Sequence, residues 1–153
     1  MEKVLTFRPV KVAEVFGAPD ADMLISEYMA ESGNPFLPQK PNVDYYRRAE
    51  EAGAFRVVGA FSGERLVGFG SFVLTVIPHY STVTASVESV FLSKEFRLGA
   101  AGVRLINAVS HAAKDAGASG IYWGCRSGSR LETLFARVPR FTRMNTVFYE
   151  ALA

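Results

Sequence analysis

The chain has one cysteine, Cys125, and two histidines, His79 and His111. A single cysteine excludes an internal disulfide and suits a reducing compartment, and Cys125 itself reads as a buried small hydrophobe. These three residues match no metal-ligand spacing, and no Ser/His/Asp or Cys/His nucleophile arrangement can be argued from them. No apolar run approaches the ~20 residues needed to cross a bilayer. The N-terminal Met1–Pro9 stretch lacks a signal-peptide hydrophobic region. Seventeen basic against 15 acidic residues leave a formal charge of +2, too small to imply nucleic acid by itself. Glycine-rich phosphate motifs of the G-x-G-x-x-G and G-x-x-x-x-G-K-[ST] types are missing. Internal repeats, low-complexity tracts and linkers are missing too. A soluble cytoplasmic protein is the default reading, with 1–153 as one domain, since 153 residues suffice for one substantial core.

What is present centres on Glu88–Ala118. Val87, Val90, Phe91 and Leu92 form a β-branched and aromatic run, as a buried strand does. Gly99, Ala100, Ala101 and Gly102 follow, and then Leu105, Val109, Ala112 and Ala116 recur along one face of a helix expected over 99–117. Gly117 stands where a helix C-terminus favours glycine. Strand, small-residue turn and helix start together make a phosphate-binding geometry. The first helical amides have no internal partner, the dipole favours an anion, and small side chains let a ligand come close. Arg97 and Arg104 add positive charge.

Elsewhere the periodicity predicts a strand over 3–9, a helical turn over Lys11–Phe16, and a helix from an Asp20 N-cap through Glu31. A proline-rich loop over 34–41 precedes a helix over Val43–Ala52 capped by Asn42. From Phe55 the period becomes two: Phe55–Phe61, Arg65–Ile77 and Thr82–Leu92 form a meander turning at 62–64 and 78–81. Gly120–Cys125 reads as a short strand, Arg130–Val138 as a helix capped by Ser127 or Ser129, and Thr142–Leu152 as a last strand.

The run Arg97-Leu98-Gly99-Ala100-Ala101-Gly102 resembles the acetyl-CoA signature Q/R-x-x-G-x-G/A of the GCN5-related N-acetyltransferases (GNAT). Ala100 departs from it, standing where the family usually has glycine; its methyl is tolerable if φ stays negative. The element order β-αα-βββ-α-β-α-β is that family's α/β fold, a mixed central sheet with helices on both faces. The resemblance covers essentially the whole chain. The Gly128–Glu132 helix start and the Asn145–Phe148 stretch are similar to members found on phage and prophage genomes.

The resemblance implies acetyl-CoA as donor. Its pantetheine would lie against the backbone of Val90, Phe91 and Leu92, with the thioester oxygen facing the amide near Leu92. Its pyrophosphate would sit on the amides from Leu98 to Gly102. Transfer would run directly to a primary amine in a ternary complex, with Glu88 as base. By strand alternation Glu88 shares a face with Val90 and Leu92, an unusual setting for an acid. The family's acid is a tyrosine, but Phe135 stands at that place and cannot donate a proton. Tyr122 and Tyr149 are the substitute candidates.

The acceptor would be a small-molecule or a macromolecular amine, entering past the 34–41 loop and the 78–81 turn that carries His79 and Tyr80. Nucleic acid is a minor alternative, suggested by Arg126, Arg130, Arg137, Arg140 and Arg143, which are opposed only by Glu132 and Glu150. A non-catalytic CoA-binding module is another. Pairing of the last strand between chains would give a homodimer.

Overall fold

Strands long enough to be buried on both faces, and one helix laid across them, position everything that matters for function. The computed structural model describes residues 4–152. In chain order the elements are β1 (Leu5–Val10), α1 (Val12–Phe16), α2 (Ala21–Ser32), α3 (Val43–Glu51), β2 (Phe55–Ser62), β3 (Arg65–Ile77), β4 (Thr82–Leu92), α4 (Ala101–Asp115), β5 (Ile121–Tyr122) and α5 (Arg130–Arg137), with a 3₁₀ turn at Lys94–Phe96. They form a mixed α/β domain whose five-stranded sheet runs β1-β2-β3-β4-β5. The first four strands pair antiparallel and β5 joins β4 parallel, so α4 serves as the crossover. None of the helices is long and apolar enough to cross a membrane among the described residues.

Each sheet face carries its own core. On one face α4 packs Leu105 and Val109 against Leu5, Val58, Val67, Phe72 and Leu92. On the other, Val12, Val15 and Leu24 of α1 and α2 cover Phe55, Val57, Phe69 and Phe91. The expected helices on both faces are therefore present. Local chemistry explains their ends: Asn42 accepts from the Tyr45 amide at 3.0 Å, and Ser129 accepts from the Glu132 amide at 3.2 Å. Glu132 reaches back to the Gly128 amide, a reciprocal cap. That amide first, and Arg143 second, hold the Glu132 carboxyl below its ordinary pKa.

The close approach of α4 to β3 depends on Gly70, where a Cβ would lie 2.4 Å from Val109 Cγ2. Val109 is fully buried, so the helix has to lift to make room. Gly70→Ala is expected to cost about 1–3 kcal/mol, read as a lower urea midpoint. An unchanged midpoint would mean that α4 does not pack as closely as described.

Four expectations change. Lys3, placed in the first strand, lies outside the described residues, and the strand runs Leu5–Val10. Asp20 occupies the α2 N-cap position without capping; its carboxylate takes the Arg65 Nε–H at 3.0 Å instead. Cys125 is exposed rather than buried, because the strand expected over Gly120–Cys125 stops at Tyr122. Finally, Thr142–Leu152 forms no strand among the described residues, and Val147 and Phe148 are exposed. An alternating pattern becomes a strand only where an edge takes its N–H and C=O groups, and the two-residue β5 offers almost none.

Candidate active site

The register of β3 on β4 slips at one point: Phe72 faces Val87 while Ser71 faces Ser89, leaving Glu88 as the extra residue of a β-bulge. A bulge places successive side chains on one side and bends its strand. Glu88 and Ser89 consequently both face the α1–α3 side, where they line one cavity with Ser71, Tyr28 and Tyr46. This corrects the face inferred from alternation, since Leu92 belongs to the opposite, α4-side core. The parallel pairing of β5 covers only Ala85↔Ile121 and Ser86↔Tyr122, ending just before the bulge. Beyond Ser86 the β4 edge continues with no strand beside it among the described residues, opening a wedge next to Glu88.

Glu88 is exposed at residue level, yet its carboxylate is held by named partners. Tyr46 OH donates to Oε1, and Ser71 Oγ donates to Oε2 at 3.2 Å. Ser71 also sits 2.5 Å from Ser89 Oγ, and Tyr28 OH reaches the Glu88 carbonyl at 3.4 Å. Burial, more than the neighbouring negative charge, pushes both phenols above their ordinary pKa. They act as fixed hydroxyl donors that orient the acid. The sequence reading assigned neither Tyr28 nor Tyr46 a role. Their one signal is position on helix faces that also carry Leu24, Ile25 and Met29 or Ala49, and that pattern is equally what any core-facing helix shows.

The second half of the site is the turn into α4. Gly99 adopts φ +57°, which a side chain would oppose, and Ala100 sits at φ −91°. The methyl of Ala100 is thus accommodated without strain where the family signature has glycine. No side chain caps α4, and a Cβ on Gly102 would meet nothing within 4 Å. The Ala101 amide donates to the Leu98 carbonyl at 3.2 Å, so the open space beside Gly102 is where this helix start is accessible to an anion. Leu98 is exposed at the rim, Ala101 is buried beneath it, and Val90 is half-buried on the strand before it.

The two arginines are already engaged. Arg97 donates from Nε to the Leu92 carbonyl at 2.5 Å and from Nη2 to Glu31 at 2.8 Å, stacking over Phe91. Arg104 donates to the Leu5 carbonyl at 3.0 Å and covers Phe7. With the Glu27–Ser93 bond, these contacts tie α2 and β1 to the turn. The arginines build the notch more than they line it.

The aromatic candidates separate. Tyr122 faces Ser86 across the last pair of the β4–β5 ladder, two residues from Glu88, and is 41% exposed. Tyr149 stacks on Phe36 at 5.5 Å, outside the cavity. Phe135 is packed with Trp123 and Phe141 and offers only hydrocarbon. Of the arginine cluster, Arg126 binds the Gly33 carbonyl, Arg140 the Asn107 side chain and Arg143 Glu132, so three of five are spent within the chain.

Solved structures share this architecture. An aminoglycoside acetyltransferase from an uncultured soil metagenomic sample, solved with sisomicin, superposes with a TM-score of 0.74 at 16% identity, covering 97% of each chain. The ribosomal-protein-alanine N-acetyltransferase of Brucella melitensis biovar Abortus 2308 gives 0.74 at 15%, covering 98% of each. A transcriptional regulator from Bacillus halodurans C-125 gives 0.72 at 17%, covering 97% of this chain and 100% of that one. No curated protein matches the sequence. Likeness at such identities establishes the fold, whereas the sequence model of the acetyltransferase (GNAT) family matches residues 21–133, most of the chain. With the uncapped helix start, the open strand edge and the bulged Glu88, that match shows that this chain belongs to the GNAT acetyltransferases.

Proposed function

We propose that the chain transfers an acetyl group from acetyl-CoA directly to an amine, with Glu88 as the base. The observation that carries this reading is the bulge, which sets a hydrogen-bonded carboxylate beside an unpaired strand edge and at an apolar cavity. Acetyl-CoA would supply the activated acyl group, held at the Leu98–Gly102 turn and along the β4 edge from Val90 to Leu92. The Leu92 carbonyl is already taken by Arg97.

An ammonium group has to lose a proton before it can attack a carbonyl carbon, and Glu88 is the one carboxylate lining the cavity among the described residues. Tyr46 and Ser71 keep that carboxylate aimed while leaving it reachable. For the proton returned to the leaving sulfur, Tyr122 is the better supported donor. Its place on the ladder brings it to the wedge, whereas Tyr149 is turned toward Phe36.

Gly102→Glu tests the donor half of this reading. A carboxylate in the first turn of α4 favours the helix, by about 0.3–1 kcal/mol, but faces a diphosphate with like charge. Stability should hold or rise while acetyl-CoA affinity, followed by calorimetry, falls tenfold or more. Unaltered affinity would remove the α4 start from the donor site.

A further inference from the structure

The cavity at Glu88 says more about its occupant than that it is an amine. Its walls are hydrocarbon: Val15 and Phe16 of α1, Ile25 and Met29 of α2, and Phe55 and Val57 of β2. Among the described residues its only charged lining group is Glu88, and its hydroxyls, on Tyr28, Tyr46, Ser71 and Ser89, are already bonded to Glu88 or to each other. No acid of the surrounding helices lines the cavity among the described residues, and several have partners of their own. Glu14 pairs with Arg8, Glu27 accepts from Ser93, Glu31 from Arg97 and Glu50 from the Val12 amide. The cavity measures about 60 Å³, room for a few water-sized groups.

A ligand carrying several ammonium groups needs a carboxylate or water for each, because a desolvated, unpaired charge is strongly unfavourable. Here one carboxylate serves one amine, and everything around it rewards hydrocarbon. We propose that the acceptor is a monoamine on a compact apolar skeleton, an alkylamine or arylalkylamine whose aminoalkyl end fills the cavity. A polycationic amino sugar does not fit these walls. The surroundings continue the theme, since the loop supplying Pro41 to the cavity also exposes Phe36 and Leu37. This inference rests on Glu88 as the base.

Thiol release from acetyl-CoA by the full chain, with n-butylamine, 2-phenylethylamine, spermidine, sisomicin and an alanine-initiated peptide as acceptors, tests it. The two apolar monoamines should exceed spermidine and sisomicin in kcat/KM by at least a hundredfold. A polycation or the peptide performing equally well or better, with a rate that still depends on Glu88, overturns the acceptor class and leaves the base in place. No turnover of any amine overturns both.

A wall variant adds a readout that folding losses do not move. Met29→Glu introduces a second carboxylate, and the kcat/KM ratio of 1,4-diaminobutane to n-butylamine should rise at least tenfold. Because both amines are measured on the same variant, loss of folded protein cancels from the ratio. An unchanged ratio means that the acceptor does not touch this wall, and the proposal fails.

Discussion

Replacing Glu88 by glutamine is expected to slow acetyl transfer by about 10²–10⁴-fold at saturating substrates, the usual worth of a positioned base. Glutamine keeps the shape and one accepting oxygen, which serves either Tyr46 or Ser71, while its NH2 stands where the other donor's acceptor was. What it loses is the ability to take a proton. Acetyl-CoA affinity should be preserved, since the proposed diphosphate notch lies at the start of α4. Stability from urea unfolding should fall by no more than about 1.5 kcal/mol, the net worth of the one hydrogen bond that glutamine cannot accept. Rate measured as free thiol, set beside affinity and stability on one preparation, separates lost chemistry from lost fold. Equal rates for the two proteins would remove Glu88 from the mechanism and leave the bulge as a feature of the sheet alone.

The second large effect concerns stability. Phe72 is 0% exposed and belongs to the α4-side core, where it packs among Val58, Val67, Leu105 and Val109. It also faces Val87, the last regular pair before Glu88 leaves the ladder. Truncation to alanine removes the buried ring and leaves a hole that the close-packed helix cannot fill, at a cost of about 3–5 kcal/mol. A domain of this size has a total of only ~5–15 kcal/mol, so a large share of the folded population is at stake near body temperature. Phe72→Leu, which keeps most of the volume, should cost much less. Urea unfolding followed by Trp123 fluorescence measures both, and an alanine variant losing under about 1 kcal/mol would contradict the described packing.

The two predictions meet at the bulge. Phe72 buttresses the strand pair from the α4 side, and Glu88 emerges on the other. Loosening the first should therefore reduce transfer beyond what the unfolded fraction explains.

Much of this was legible beforehand where short-range chemistry decides. The meander follows from alternation, α4 from its apolar stripe, and the α3 and α5 starts from Asn42 and Ser129, whose side chains answer amides three residues on. The Gly99–Gly102 turn was visible because its demand for a positive φ and for empty space is written in residue size.

The tertiary structure alone decided the rest, because those features depend on partners far along the chain. Which face Glu88 takes is a matter of register between two strands, and a one-residue slip reverses it. Tyr46 and Tyr28 reach it from 42 and 60 residues away. Arg97 and Arg104 looked like phosphate ligands until the Leu92 and Leu5 carbonyls claimed them. Thr142–Leu152 has the pattern of a strand but lacks a ladder within the described chain. Composition and period thus determined most of the elements and the small-residue turn into α4, while the pairing of distant backbone groups determined where the acid points and what lines the cavity beside it.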